Sequence, residues 1–319
     1  MDFLTYIQTH RIGYVTYAIP YDPTWTDTDL LNNIVAINCR SWKLTSIPPL
    51  PNCTYIACCF NDLQKLPDLP KCIQLECKWC GLESLPDLPH CEKLDCSNNK
   101  LTSLPPLPAC RELDCSANQL TGLPPLNLCV DLVCTRNQLT ILPALPSCMR
   151  LSCWQNRLTT LPDLPATKMI LWCGDNLLTS IPEGPLYREL ECGNNRLTSL
   201  PALPLCRQLR VETNLITKLP DLPTCELLEC HNNTLDCLPP LPVCERLNCA
   251  NNRIARLPAM FHCTICICPN NQLTTIPYLP NCITLDSSGN SIGYANLADW
   301  KKVWFEVFKK IENASTKCL

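Results

Sequence analysis

One phrase constrains this chain more than anything else in it. Residues 91–108 read Cys-Glu-Lys-Leu-Asp-Cys-Ser-Asn-Asn-Lys-Leu-Thr-Ser-Leu-Pro-Pro-Leu-Pro, and the pattern returns from Ile34 to Ile292. A unit this short cannot enclose a core of its own. It buries its apolar face only against the units before and after it, which makes a solenoid. Aligned on the second cysteine of the phrase, the units fall at Cys39, Cys58, Cys77, Cys96, Cys115, Cys134, Cys153, Cys173, Cys192, Val211, Cys230, Cys249, Cys268 and Ser287. That is fourteen units, twelve of them with cysteine there. Every step is 19 residues except the 20 from Cys153 to Cys173. The additional residue falls within Ala166–Ile170, where the pattern is least regular.

Each unit divides into three parts. The segment around Leu94–Cys96 reads as a short parallel strand, with Leu94 and Cys96 inward and Lys93, Asp95 and Ser97 outward. Asn99 then turns the chain, and asparagine recurs there in twelve units from Asn61 to Asn290. A buried amide there is expected to bond backbone groups of its own coil and of the next. Trp42 and Cys80 interrupt this ladder, so the first and third coils are expected to be irregular at those points. Leu101, Leu104 and Leu107 return the chain along the opposite side. Pro105 and Pro108 exclude an ordinary α-helix there and favour polyproline II or a tight turn.

The phrase resembles the leucine-rich repeat, L-x-x-L-x-L-x-x-N-x-L, with Cys91, Leu94, Cys96, Asn99 and Leu101 at the matching positions. The L-P-x-L-P half is similar to the short repeats of bacterial secreted effectors and of repeat proteins of large DNA viruses. The resemblance covers residues 34–292 and implies an α/β repeat fold. That fold is a curved solenoid with short parallel strands on the concave face and a polyproline or turn-rich convex side. Effectors of this class can carry a ubiquitin-ligase domain with a catalytic cysteine. No stretch here is long enough for one, so that activity is not carried over.

The ends do not fit the repeat. Residues 1–33 hold Phe3, Tyr6, Tyr14, Tyr17, Tyr21 and Trp25 and read as an N-terminal cap, with a strand within Arg11–Ile19. The solenoid spans 34–293, and 294–319 reads as a C-terminal capping helix and tail. There Trp300, Val303, Trp304, Val307, Phe308 and Ile311 share one helical face, and Asn296 can cap the start. Such a face also suits a membrane surface or a second chain.

The 28 cysteines raise the question of redox state, and 23 of them occupy only two repeat positions. Both are inward apolar sites, where cysteine acts as a small hydrophobe. In-register neighbours would lie about 4.8 Å apart, whereas a disulfide wants Cβ atoms near 3.8 Å, so reduced packing thiols are expected. Met1–Tyr21 has no apolar h-region, and the cytoplasm is the expected compartment (of a host cell, or a virion, if the source is viral). The sequons at Asn52, Asn232 and Asn313 then read as chance.

Charge is nearly balanced, 26 basic residues against 29 acidic, which gives no electrostatic case for nucleic acid. No run of 18 apolar residues suggests a membrane span. With four histidines and no glycine-rich phosphate loop, no catalytic set emerges, and no cofactor or metal is expected. Cys77-Lys78-Trp79-Cys80 and the run His262–Cys268 have metal-like spacing, but their cysteines coincide with inward repeat sites.

A protein-interaction scaffold that binds through its strand face is therefore the expected function. The candidate contact residues are Glu76, Asp95 and Asp114, stacked in consecutive units with Glu112 and Asp131 beside them, and Trp154, Trp172, Arg136 and Arg150 farther along. Stacked like charges cost stability, so the column reads either as a site for a basic partner or as a solvated acidic face. The alternatives are a self-associating structural component, such as a virion protein, and a thiol- or metal-dependent module.

Overall fold

The computed structural model describes residues 3–9, 14–292, 298, 300–302 and 304. The chain packs as two units, Met1–Pro165 and Ala166–Leu319, which divide at the irregular 20-residue step.

In the first unit, α1 (Phe3–Thr9), β1 (Val15–Tyr17) and α2 (Asp27–Asn33) precede the repeats. Seven strands follow: β2 (Ile34–Asn38), β3 (Tyr55–Ala57), β4 (Gln74–Glu76), β5 (Lys93–Asp95), β6 (Glu112–Asp114), β7 (Asp131–Val133) and β8 (Arg150–Ser152). β1 pairs antiparallel with β2, and from there every neighbour is parallel and one period away, as in Leu94↔Leu113 and Asp95↔Asp114. The strand expected within Arg11–Ile19 is the short β1; residues 11–13 lie outside the described ones. The two helices are departures from expectation. The signal for α2 was present in Thr26-x-x-Asp29, whose side chains cap each other's backbone ahead of Leu30.

The second unit holds β9 (Lys168–Trp172), β10 (Leu186–Glu191), β11 (Gln208–Arg210), β12 (Leu227–Glu229), β13 (Arg246–Asn248), β14 (Ile265–Ile267) and β15 (Thr284–Asp286), again parallel and in register. Irregularity appears where the sequence places it. β9 and β10 are longer than their neighbours, and Met169 and Tyr187 pair in the core where other coils carry cysteine. Of the C-terminal segment, Ala298, Trp300, Lys301, Lys302 and Trp304 are helical, and Trp300 stacks on Tyr278. Asn296, Val303, Val307, Phe308 and Ile311 lie outside the described residues.

The interior of a coil is built from a few side chains. Cys91, Leu94, Cys96, Leu101 and Leu107 are all at most 2% exposed, and each buried leucine is worth about 2 kcal/mol of transfer free energy. The return segments are extended, without helix, as their prolines require. Ser97 departs from the outward assignment. Its side chain is buried because its hydroxyl and amide both turn onto Asp95 Oδ1, at 2.7 and 3.2 Å.

The two cysteine columns differ in kind. The first cysteine of each phrase donates its thiol to the carbonyl two residues ahead, as in Cys91 to Lys93 at 3.2 Å and Cys148 to Arg150 at 3.1 Å. The same contact repeats at Cys53, Cys72, Cys110, Cys129, Cys206, Cys225, Cys244, Cys263 and Cys282. A small apolar group with one weak donor fits a site that alanine or valine would leave unbonded. The second column, Cys96 and its equivalents, fills the dry centre.

The asparagine ladder forms, with one change of direction. Asn99 Nδ2 donates to Cys77 O at 2.9 Å and Cys96 O at 3.0 Å, while its Oδ1 accepts from Leu82 N at 3.0 Å. The neighbour it ties is the preceding coil, not the next. Where Cys80 replaces asparagine, its thiol reaches the equivalent carbonyl, Cys58 O, at 3.0 Å. Trp42 fills its position with a ring on which Tyr6 stacks, 4.0 Å between centroids.

Just before the ladder position every coil holds one left-handed residue, from Ser41 through Asn98 to Gly289. In the two coils without the asparagine a second follows, Lys43 and Gly81, which is the irregularity expected there. Asparagine, aspartate and glycine tolerate this region; a β-branched residue does not. Thr213, at φ 55°, is therefore strained. Thr213→Asn is expected to stabilise the second unit by about 1 kcal/mol, read as a higher denaturation midpoint. No gain would mean that the coil relaxes around threonine.

Candidate functional site

The outward strand residues of the first unit converge on one hollow. β4 to β7 hold their central side chains in a column, because the register pairs Glu76 with Asp95 and Asp95 with Asp114. The preceding strand position contributes Lys93, Glu112 and Asp131. Together these residues line a hollow of about 300 Å³. Five carboxylates thus meet in four coils, as the sequence indicated.

The column is not bare. Cations from neighbouring coils stitch it: Arg40 with Glu76, Lys78 with Asp95 at 3.3 Å, Lys93 with Glu112 at 2.7 Å and Arg150 with Asp131 at 3.5 Å. These pairs are largely solvated, so each contributes well under about 1 kcal/mol. Asp114 is held instead by the Ser116 hydroxyl and amide, at 2.6 and 3.0 Å through its Oδ1.

Asp131 is the exceptional acid. Its Oδ1 is buried and has no hydrogen-bond partner among the described residues. Burial raises its pKa above the ordinary carboxylate value, Arg150 lowers it, and Glu112 and Asp114 raise it further. Arg150 meets only Oδ2, so Asp131 keeps one oxygen open to a further donor in a hollow lined by other carboxylates.

The other candidates divide between the units. In the first, Arg136 lies over the Trp154 ring, 5.1 Å from its centroid, and donates to Gln155 at 3.0 Å. Arg150 faces Asp131 rather than the indole. In the second, Trp172 belongs to β9, half-buried, with its Nε1 unpaired among the described residues. The column there continues with Glu191, Arg210 and Glu229, the arginine bridging both acids. Glu212 Oε2 and His231 Nδ1 are likewise unpaired among the described residues, and the Glu212 carboxylate lies over the Cα of Gly193, where a Cβ would collide with it. Sequence reading passed over this pair because their position, two beyond the strand centre, carries no repeat signal.

The two cysteine motifs are packing thiols. Cys77 is fully buried, and the Cys80 thiol is taken by Cys58 O. In the run 262–268, Cys263 donates to Ile265 O and Cys266 lies 4.0 Å from Cys268, while His262 is exposed. Among the described residues no three potential ligands converge on a metal position.

No family profile matches the sequence, and a search of curated proteins returns no relative. Solved structures do match. The leucine-rich effector protein YopM of Yersinia pestis superposes with a TM-score of 0.68 at 29% identity, over 82% of this chain and 84% of that one. A leucine-rich-repeat protein of Leptospira interrogans gives a TM-score of 0.63 at 26% identity, over 79% and 77%. YopM from Yersinia enterocolitica gives 0.56 at 26% identity, over 81% and 70%. No described helix is long and apolar enough to cross a membrane.

Proposed function

Because the chain is a leucine-rich-repeat solenoid, we propose that it is a non-enzymatic scaffold that takes a basic segment of a partner protein on the outward face of β4 to β7. The observation that carries this reading is Asp131, whose buried Oδ1 has no donor among the described residues, set in a hollow with Glu112 and Asp114. The repeat places no demand on these positions, since other coils carry Ser152 or Asn248 where Asp114 stands and Arg150 or Arg246 where Glu112 and Asp131 stand. Five carboxylates against four paired cations leave the column an excess negative charge that a bound cation offsets. The effector role stated for YopM is a parallel.

In the same reading, residues 1–33 and 294–319 close the ends of the array. The contacts of Tyr6 with Trp42 and of Trp300 with Tyr278 support it. None of the 27 described cysteines is in a disulfide, which suits the cytosol. We assign Trp154 with Arg136, and separately Trp172, as secondary contacts.

Asp131→Asn tests the proposal by separating stability from binding. The folded chain holds the Asp131 proton more tightly than the unfolded chain does. Its contribution therefore favours folding at low pH and is lost as pH rises through the folded pKa. At pH 7 the asparagine variant is expected to match or exceed wild-type stability while binding a lysine-rich peptide about tenfold more weakly, a loss of about 1.4 kcal/mol. Equal affinity of variant and wild type in a peptide titration would remove Asp131 from the interface.

A further inference from the structure

Two aromatic side chains occupy the left-handed position in adjacent coils. Phe60 has φ 59° and is 51% exposed; Trp79 has φ 55° and is 56% exposed. Bulky residues are outliers in this region, and asparagine, aspartate or glycine holds the position in half of the fourteen coils. Each ring is thus both conformationally unfavourable and open to water, in a coil whose geometry would suit a small polar residue better. Strain kept at an exposed position points to a use outside the fold.

The Trp79 ring also borders a second hollow, of about 360 Å³, with Gly81 and Ala117 leaving space beside it, and Phe60 holds the equivalent position one coil earlier. Gly81 has no heavy atom within 4 Å of where a Cβ would stand, so the space is open. Trp79 follows Glu76 by three residues, and Asn98 follows Asp95 by three. Three strand residues span no more than roughly 10 Å. The apolar hollow therefore begins where the acidic one ends, along the strand direction and in the same coils.

We infer that Phe60 and Trp79 form an apolar seat for the same partner segment whose cation enters the acidic hollow. The occupant is an extended peptide with a lysine or arginine and, about three residues away, a leucine-sized or aromatic side chain. Charge complementarity selects the first group and the exposed rings the second. The inference rests on the acidic-face reading, and its test separates the two.

Three labelled octapeptides serve as probes in anisotropy titrations of the full chain: one with lysine and leucine three apart, one with leucine replaced by serine, and one with lysine replaced by serine. Wild type is expected to bind the lysine–leucine peptide at least about tenfold more tightly than either other, the increment of one well-buried side chain. Phe60→Asn with Trp79→Asn should abolish the preference for leucine and leave lysine–serine binding intact. Asp114→Asn with Asp131→Asn should weaken both basic peptides. Asparagine suits the left-handed backbone, so the aromatic variant should melt at or above the wild-type temperature.

Equal wild-type affinity for the two basic peptides, or a leucine preference that survives the aromatic variant, overturns the apolar seat and leaves the acidic reading standing. Failure of both basic peptides to bind overturns the acidic reading itself. A lowered melting temperature in the aromatic variant would make the rings structural, and a wild-type dimer dissolved by that variant would assign them to a second copy; either result overturns the inference.

Discussion

Asn118→Ala is expected to destabilise the first unit by about 3 kcal/mol, the largest effect of any single polar substitution we anticipate there. Asn118 is 9% exposed. Its Nδ2 donates to Cys96 O at 3.0 Å and Cys115 O at 3.1 Å, and its Oδ1 accepts from Leu101 N at 3.0 Å. Alanine leaves two carbonyls and one amide without these partners in a site with little room for water, and each buried orphan costs about 1–3 kcal/mol. The effect reaches beyond one coil because the amide ties the preceding one, and coil-to-coil terms sum along a repeat. Denaturant titration of the variant is the measurement. A loss below about 1 kcal/mol would mean that water replaces the amide and that the ladder is not what holds the coils in register.

The second large effect is in the thiols. Among the described cysteines only Cys237 is exposed, so it is expected to alkylate rapidly in the folded chain at pH 8. The others should react only as the chain opens. Burial pushes the Cys129 thiol from 9.0 up to about 12, and Cys39 and Cys148 likewise to about 12. Three pKa units lower the thiolate fraction about a thousandfold, apart from any steric protection. Mass-spectrometric footprinting with iodoacetamide reads this residue by residue, and denatured protein should yield all 28 thiols. Rapid labelling of Cys115 or Cys134 in the native state would remove the dry core on which the fold depends.

The same shifts set the response to alkali. A thiol with a raised folded pKa keeps its proton in the native chain and loses it first in the unfolded one. Its contribution to stability is complete below pH 9.0 and is lost progressively toward about 12. Each such thiol removes about 1.4 kcal/mol per pH unit in that window. The denaturation midpoint is therefore expected to fall steeply just above pH 9.

Particular residues show how far the chain's letters carry. Cys91, Leu94, Cys96, Asn99 and Leu101 announce the coil because a 19-residue period leaves one way to bury apolar side chains, against the adjacent copy. The acid column follows from the same periodicity, since Glu76, Asp95 and Asp114 must stack once the register is one unit per strand. The two helices before the first repeat were not foreseen, although Thr26 and Asp29 mark the start of the second. Short amphipathic segments become helical only when something packs against them.

Spacing along one chain is enough to set the repeat, the parallel register, the inward cysteines and the stacking of like charges. The folded arrangement, within coils and between them, settled the rest. It chose the backward reach of the asparagine amides, the thiol bond to the carbonyl two residues ahead, and the cations that stitch the acid column. It also set the Asp131 Oδ1 that is unpaired among the described residues and the left-handed backbone at the exposed Phe60 and Trp79. Each is a matter of direction and distance between groups, some within a coil and some a period or more apart, and periodicity specifies which groups are neighbours without specifying how they meet.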